Sequence, residues 1–260
     1  MLLAINSGNT NASFAVYDGD DQRGRWRIST DPRRTADEYG VWLRHLMDLQ
    51  SLSPDSIDGA IIASVVPAAL FNLKALVRRF FKCEALVIGD SDGNHLGIKA
   101  NIERPSEAGA DRLVNSYAAH RKYGGPAIVI DFGTATTFDV VERDGSYAGG
   151  VICPGVNLSL QALYMGAAKL PSVSVERPKK VIGKNTVACM QSGVFWGYIG
   201  LIEGLVARIR GEYGSPMTVI ATGGLAPLFH GATGIIDHVN EDLTLTGLAW
   251  LHAANKQRQK

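Results

Sequence analysis

Apolar positions follow the same plan twice along this chain. Leu2–Ile5 and Ala12–Tyr17 are strand-length apolar runs on either side of Gly8-Asn9-Thr10. A turn at Asp18-Gly19, or at the nearby Asp20-Asp21, predicts a hairpin to a third strand over Arg25–Ile28. Tyr39, Trp42, Leu43 and Leu46 recur at i, i+3, i+4 and i+7 behind the capping-box sequence Thr35-Ala36-Asp37-Glu38, which predicts a helix. Ala60–Val66 reads as a buried strand, Leu70, Leu73, Val77 and Phe80 as one face of a helix, and Ala85–Ile88 as a further strand. Pro105-Ser106-Glu107 predicts a helix entry with Ser106 as N-cap. That helix carries Gly109-Ala110-Asp111-Arg112 in its first turns and ends before Gly124-Gly125-Pro126.

The second half repeats the order. Ala127–Ile130, Thr136–Val141 and Tyr147–Ile152 read as three consecutive strands, with a turn at Asp144-Gly145 and an end at Pro154-Gly155. Helices are expected near Leu158–Met165 and from Thr186 to about Arg210, then a strand over Met217–Ala221 that ends in Thr222-Gly223-Gly224. A short helix, a strand near Ile235–His238 and a final helix from Leu243 complete the chain, and Lys169–Lys184 is the loop candidate. Two sets of three strands followed by alternating helices and strands argue for α/β layers. The expected division is 1–118 and 119–260, with the joining helix shared between the halves.

Composition narrows the class. A chain of 260 residues holds one large domain or two smaller ones and buries roughly three quarters of its extended surface without staples. Basic residues number 26 and acidic residues 25, a net charge of +1, so no field recruits nucleic acid or an acidic membrane. Three widely spaced cysteines (Cys83, Cys153 and Cys189) fit a reducing, cytoplasmic setting rather than a disulfide framework. The histidines at 45, 95, 120, 230, 238 and 252 have no metal-ligand spacing. No signal peptide is expected ahead of Leu2–Ile5. The apolar stretch Val194–Ile209 contains Glu203 and Arg208 and is too short to span a bilayer.

The candidate chemistry lies in the repeat. Ile5-Asn6-Ser7-Gly8-Asn9-Thr10 returns in altered form as Ile130-Asp131-Phe132-Gly133-Thr134-Ala135. A residue without a side chain lets donors approach a phosphate, and Asn, Ser and Thr add donors of their own. A carboxylate just after the strand, such as Asp131, can hold a cation that neutralises phosphate charge. One such copy is adequately explained as a hairpin turn, whereas two copies and a third Gly pair at Gly223-Gly224 favour a ligand. The P-loop and dinucleotide signatures are absent; Gly183-Lys184-Asn185-Thr186 lacks the upstream Gly. Gly193, Gly197, Gly200 and Gly204 fall on one face of a helix. Each costs about 1 kcal/mol there relative to Ala, so a close neighbour, in the core or in a second copy, is expected.

The two turns and the late Gly pair resemble the actin-like ATPase superfamily. More narrowly, Gly8-Asn9-Thr10-Asn11, Gly109-Ala110-Asp111-Arg112, Asp131-Phe132-Gly133-Thr134-Ala135-Thr136-Thr137 and Gly149-Gly150-x-Ile152-x-Pro154-Gly155 together resemble type III pantothenate kinase. The resemblance implies two similar ribonuclease H-like domains with a nucleotide cleft between them. It implies phosphorylation of the primary hydroxyl of pantothenate by ATP with Mg²⁺, the first step towards coenzyme A. On this resemblance Asn6, Ser7, Gly8, Asn9, Thr10, Asn11, Ala12, Ser13 and Thr134 contact ATP. Gly109, Ala110, Asp111, Arg112 and Thr186 hold pantothenate, Asp111 accepts the proton, and Asp131 binds K⁺ or NH₄⁺. It further implies a cytoplasmic homodimer whose substrate site lies near the subunit contact.

One position departs from the pattern. The family has Asp where this chain has Asn6, and that Asp is linked to the magnesium of MgATP. Asn keeps the shape and one acceptor oxygen but loses the charge that Mg²⁺ favours. The sequence leaves open an active kinase that tolerates Asn6, a weak or inactive relative that binds the same ligands as a regulatory protein, and an Asn6 that arises from the source of the sequence. An ATPase of the same superfamily acting on another alcohol is a further alternative.

Overall fold

The computed structural model describes residues 1–89, 98–166 and 170–258; His95 and Lys169 lie outside the described residues. The chain divides into Met1–Ala118 with Leu243–Lys260, and Ala119–Asp242. In the first unit β1 (Leu2–Ser7), β2 (Asn11–Asp18) and β3 (Asp21–Ser29) form an antiparallel meander, and β4 (Gly59–Ser64) and β5 (Ala85–Ile88) extend it in parallel. The order is β3-β2-β1-β4-β5. In the second unit β6 (Ala127–Phe132), β7 (Ala135–Val141) and β8 (Tyr147–Pro154) are the meander, and β9 (Thr218–Thr222) and β10 (His238–Val239) the parallel extension. Their order, β10-β9-β6-β7-β8, is the same arrangement.

Helices follow the meanders: α1 (Ala36–Asp48), α2 (Pro67–Phe81) and α3 (Ala110–Tyr123), then α4 (Val156–Gly166), α5 (Thr186–Tyr213), α6 (Ala226–His230) and α7 (Leu243–Arg258). The capping box forms at α1: Glu38 Oε2 accepts from Thr35 N at 2.8 Å, and Thr35 Oγ1 accepts from Glu38 N at 3.3 Å. β1 runs apolar without alternation because both its faces are buried. Leu3 and Ile5 join Tyr39, Leu43, Leu73 and Val77 of α1 and α2. Ala4 faces the other way, with Ala110 and Val114 of α3 and Leu245 and Leu248 of α7. In the second unit Ile128, Ile130 and Phe138 meet Phe195 and Ile202 of α5 and Phe229 of α6.

Several expectations need correction. Ser106 is not the N-cap of α3; Pro105–Glu107 is a separate 3-10 turn, and α3 begins at Ala110, with Leu113 N–H bonded to the Gly109 carbonyl at 3.1 Å. The strand expected at Ile235–His238 is only His238–Val239. Just before it, Asp237 bonds Val219 twice: its N–H donates to the Val219 carbonyl at 2.9 Å, and its carboxylate accepts Val219 N–H at 2.8 Å. The last helix lies with the first unit, not the second, because Leu245, Leu248 and Leu251 close the face of the first sheet. Among the described residues the Gly face of α5 has no close neighbour: a Cβ on Gly193, Gly197 or Gly200 would meet nothing within 4 Å, and at Gly204 only Arg208 Nη1 at 3.2 Å. No core contact among the described residues explains the missing side chains of Gly193, Gly197 and Gly200. Residues 170–184 contain no helix or strand, but Arg177 Nη1 ties the segment to the Gly231 carbonyl at 2.9 Å. Among the described residues no helix is long and apolar enough to cross a membrane.

Candidate active site

In the first unit the β1–β2 connection carries the residues expected to meet ATP. Asn6 and Ser7 end β1, Gly8, Asn9 and Thr10 turn, and Asn11, Ala12 and Ser13 start β2. Asn6 pairs with Ser13 and Ser7 with Ala12. Gly8 N–H is used inside the turn, on the Asn11 carbonyl at 3.0 Å. Asn9 and Thr10 are exposed. Ser7 is fully buried, and its Oγ has no hydrogen-bond partner among the described residues. An exposed turn rich in backbone and side-chain donors fits a phosphate-bearing ligand. The two-residue period of β1 and β2 puts Asn6 and Ser13 on the face of Ala4 and Ala15. That face packs against Ala110 and Val114 of α3.

α3 packs on that face through Ala110 and Val114, and Asp111 and Arg112 lie in its first turn. Arg112 N–H donates to Asp111 Oδ1 at 2.8 Å, and Ser116 Oγ donates to the Arg112 carbonyl at 2.9 Å. Desolvation pushes the Asp111 carboxyl above the usual 3.8, outweighing the backbone N–H and the positive charge of Arg112, which lower it. A carboxylate that is costly to keep charged is a stronger proton acceptor than a solvated one. Gly109 and Ala110 precede it in the same connection, so the four expected pantothenate residues of this unit lie together.

The second unit repeats the turn one residue shorter: Phe132 pairs with Thr136, and Gly133 N–H bonds the Ala135 carbonyl at 3.0 Å. Asp131 stands at the position of Asn6, second before the turn, opposite Thr137. Beside its carboxylate is Gly223, with φ of 87°. A Cβ on Gly223 would sit 2.9 Å from Asp131 Oδ1 and 2.6 Å from the Phe132 carbonyl oxygen. The missing side chain keeps space at a carboxylate, which suits a cation. Thr134 is exposed at the tip of the turn, and the Thr136 hydroxyl is buried without a partner among the described residues. Thr186 is the first, exposed residue of α5, behind Asn185, whose Oδ1 caps Ala188 N–H at 2.9 Å. Thr186, Thr134 and Asp131 thus belong to one unit, and Asn6 to Ser13 and Gly109 to Arg112 to the other.

Two supports of the turns were not singled out in the sequence for this role. Thr30 follows β3 and bonds the first turn twice. Gly155 follows β8 and packs on the second so closely that a Cβ would meet the Thr134 carbonyl oxygen at 2.1 Å. Both lie where a three-strand meander returns the end of its third strand, or the residue beyond it, to the first turn, and that topology was the available signal.

Comparison with known proteins agrees with this arrangement. The protein described as (R)-2-hydroxyglutaryl-CoA dehydratase component A of Acidaminococcus fermentans has a similar fold, with TM-score 0.56 at 11% identity over 100% of this chain and 99% of that one. The chain thus has the two-unit α/β fold of the actin-like ATPases and sugar kinases. It is 64% identical to the type III pantothenate kinase of Paramagnetospirillum magneticum over 255 residues, 98% of each chain. It is 60% identical to that of Rhodospirillum rubrum over 256 residues, 98% of this chain and 99% of the relative. The family model for type III pantothenate kinase matches residues 2–208, a span that includes both turns and the start of α3, and the chain belongs to that family.

Proposed function

We propose that this protein transfers the γ-phosphoryl group of ATP to the primary hydroxyl of pantothenate, giving ADP and 4′-phosphopantothenate, the first committed chemistry of coenzyme A synthesis. The observation that carries the reading is Asp111, a carboxylate with a raised pKa at the start of α3, the helix that packs through Ala110 and Val114 on the sheet face of Asn6 and Ser13. The hydroxyl oxygen bonds to the γ-phosphorus, the bond from that phosphorus to the bridging oxygen of ADP breaks, and Asp111 takes the hydroxyl proton. Phosphoryl transfer has a loose transition state, so positioning and charge neutralisation supply most of the rate.

The other roles follow from chemistry. Residues Asn6 to Ser13 and Thr134 supply donors to the phosphates. Arg112 offers a planar donor fork to the pantothenate carboxylate, with Gly109, Ala110 and Thr186 as further substrate contacts. Asp131, with the space left by Gly223, suits K⁺ or NH₄⁺. Mg²⁺ brought with ATP would neutralise phosphate charge, and the neutral Asn6 would hold it through water or its one amide oxygen. The enzyme acts in the cytoplasm as a homodimer, and the uncovered Gly face of α5 is the surface on which two copies meet.

The test is a product assay with MgATP, K⁺ and pantothenate that follows ADP and 4′-phosphopantothenate. Equal amounts of both products are expected. ADP formed with another primary alcohol and not with pantothenate would overturn the substrate assignment. Asn6 favours one competing reading, a ligand-binding relative without turnover. Product from Asn6→Asp and none from the parent chain would establish that reading instead.

A further inference from the structure

Thr30 grips the β1–β2 turn from outside it with both side chain and backbone. Its Oγ1 donates to the Gly8 carbonyl at 2.7 Å, and its N–H donates to the Thr10 carbonyl at 2.9 Å. Inside the turn Gly8 N–H bonds the Asn11 carbonyl at 3.0 Å. The Thr10 bond continues the β2–β3 ladder, in which Asn11 pairs with Ser29. The Gly8 bond is extra, and the Thr30 side-chain hydroxyl makes it. In a trans peptide the N–H points opposite to the C=O. Holding the Gly8 carbonyl towards Thr30 therefore turns the Asn9 N–H away from Thr30, out of the turn. Asn9 and Thr10 are exposed, and nothing bulky holds Gly8, where a Cβ would meet only the Asn11 carbonyl oxygen at 3.3 Å. The peptide plane between Gly8 and Asn9 thus depends on a hydrogen bond for its direction.

We propose that Thr30 is a positioning residue for ATP: its hydroxyl fixes the Gly8–Asn9 peptide so that Asn9 N–H faces the phosphates. This rests on the reading that the turn meets the ATP phosphates. Preorganised donors act without reorienting when charge develops, so the hydroxyl contributes to both ATP binding and turnover and not to pantothenate binding.

The experiment compares Thr30→Val, which keeps the shape and the backbone bond, with Thr30→Ser, which keeps the hydroxyl. Thr30→Val is expected to raise KM for ATP and lower kcat/KM for ATP by about three- to tenfold, the scale of one hydrogen bond. KM for pantothenate should move less than about twofold, and Thr30→Ser should recover most of the loss. A merely structural role would depress both substrates alike and would not be rescued in one alone. Thermal unfolding monitors the fold, and Thr30→Ala serves with the same expectation should the valine variant not fold. Gly8→Val, which puts a side chain over the turn, separates the two readings. If Gly8→Val raises KM for ATP and Thr30→Val does not, the role of Thr30 is overturned alone. If neither variant changes KM for ATP, the phosphate reading of the turn falls, and Thr30 with it.

Discussion

Asp111 serves two opposed demands, and both leave measurable traces. Burial raises its carboxyl above 3.8, and the proton acceptor must be ionised to work. The turnover rate should therefore fall on acidification through that raised value, at higher pH than an ordinary aspartate allows. For stability the sign is reversed. A folded-state pKa above the unfolded one contributes stability that is complete below the unfolded value and lost as pH rises through the folded one. Asp111→Asn should then lower kcat by about 10²-fold or more, abolish the acidic limb, and unfold at a higher temperature than the parent at pH 8. Activity and melting curves across pH check both signs, and an Asn variant that is less stable at pH 8 would contradict the desolvation argument. Gly223 makes a second demand at this scale. At φ of 87°, with a Cβ that would come 2.6 Å from the Phe132 carbonyl oxygen, Gly223→Ala should cost about 1–3 kcal/mol, read by denaturant unfolding.

At the scale of elements, α5 is the helix whose surface the single chain does not explain. Gly193, Gly197 and Gly200 are exposed, and a Cβ on any of them would meet nothing within 4 Å among the described residues, although each weakens a helix by about 1 kcal/mol relative to Ala. Val181 and Ile182 just ahead of α5 are 63% and 73% exposed. If the face is free, Gly197→Arg should simply stabilise the helix by most of that kilocalorie. If two copies meet there, the same change should convert dimer to monomer. Sedimentation velocity with parallel melting curves distinguishes the outcomes, and dissociation is expected. The Gly spacing was legible in the sequence, but its neighbour was not, because periodicity gives a face and not what covers it. The same limit explains α7. Its existence was readable from Leu243 onward, yet its place with the first sheet depends on Leu245, Leu248 and Leu251 meeting Ala4 and Val114, long-range contacts without a local signature. Strands were readable where turn residues bound them, as at Gly19 and Gly145. The strand expected at Ile235–His238 starts only at His238 because the Asp237 carboxylate takes the Val219 N–H that a parallel ladder would give to a backbone carbonyl. At the site, the turns and Asp111 could be named from motifs, whereas Thr30 and Gly155 act through topology.

For the whole molecule the decisive comparison is between the two units. Both sheets have the same order, and the penultimate residue before each turn pairs with the equivalent partner: Asn6 with Ser13 and Asp131 with Thr137. Two equivalent positions therefore differ by one charge. Backbone and hydroxyl donors flank both, and of these two equivalent positions only Asp131 carries a negative charge. With a net charge of +1 the rest of the chain offers no strong field to replace it. Asp131→Asn would make the two turns electrostatically alike while keeping shape and hydrogen-bonding capacity. If Asp131 holds the monovalent cation, that variant should lose about 10- to 100-fold in cation affinity or activity, the usual cost of weakening a metal's supporting shell. Its rate should then no longer respond to K⁺ titrated against a constant Na⁺ background. Asn6→Asp should leave the K⁺ response unchanged and lower the Mg²⁺ concentration needed for half-maximal rate, since a carboxylate is the better Mg²⁺ ligand. A K⁺ response that survives in Asp131→Asn would move the cation away from the second turn, and the charge of Asp131 would need another purpose.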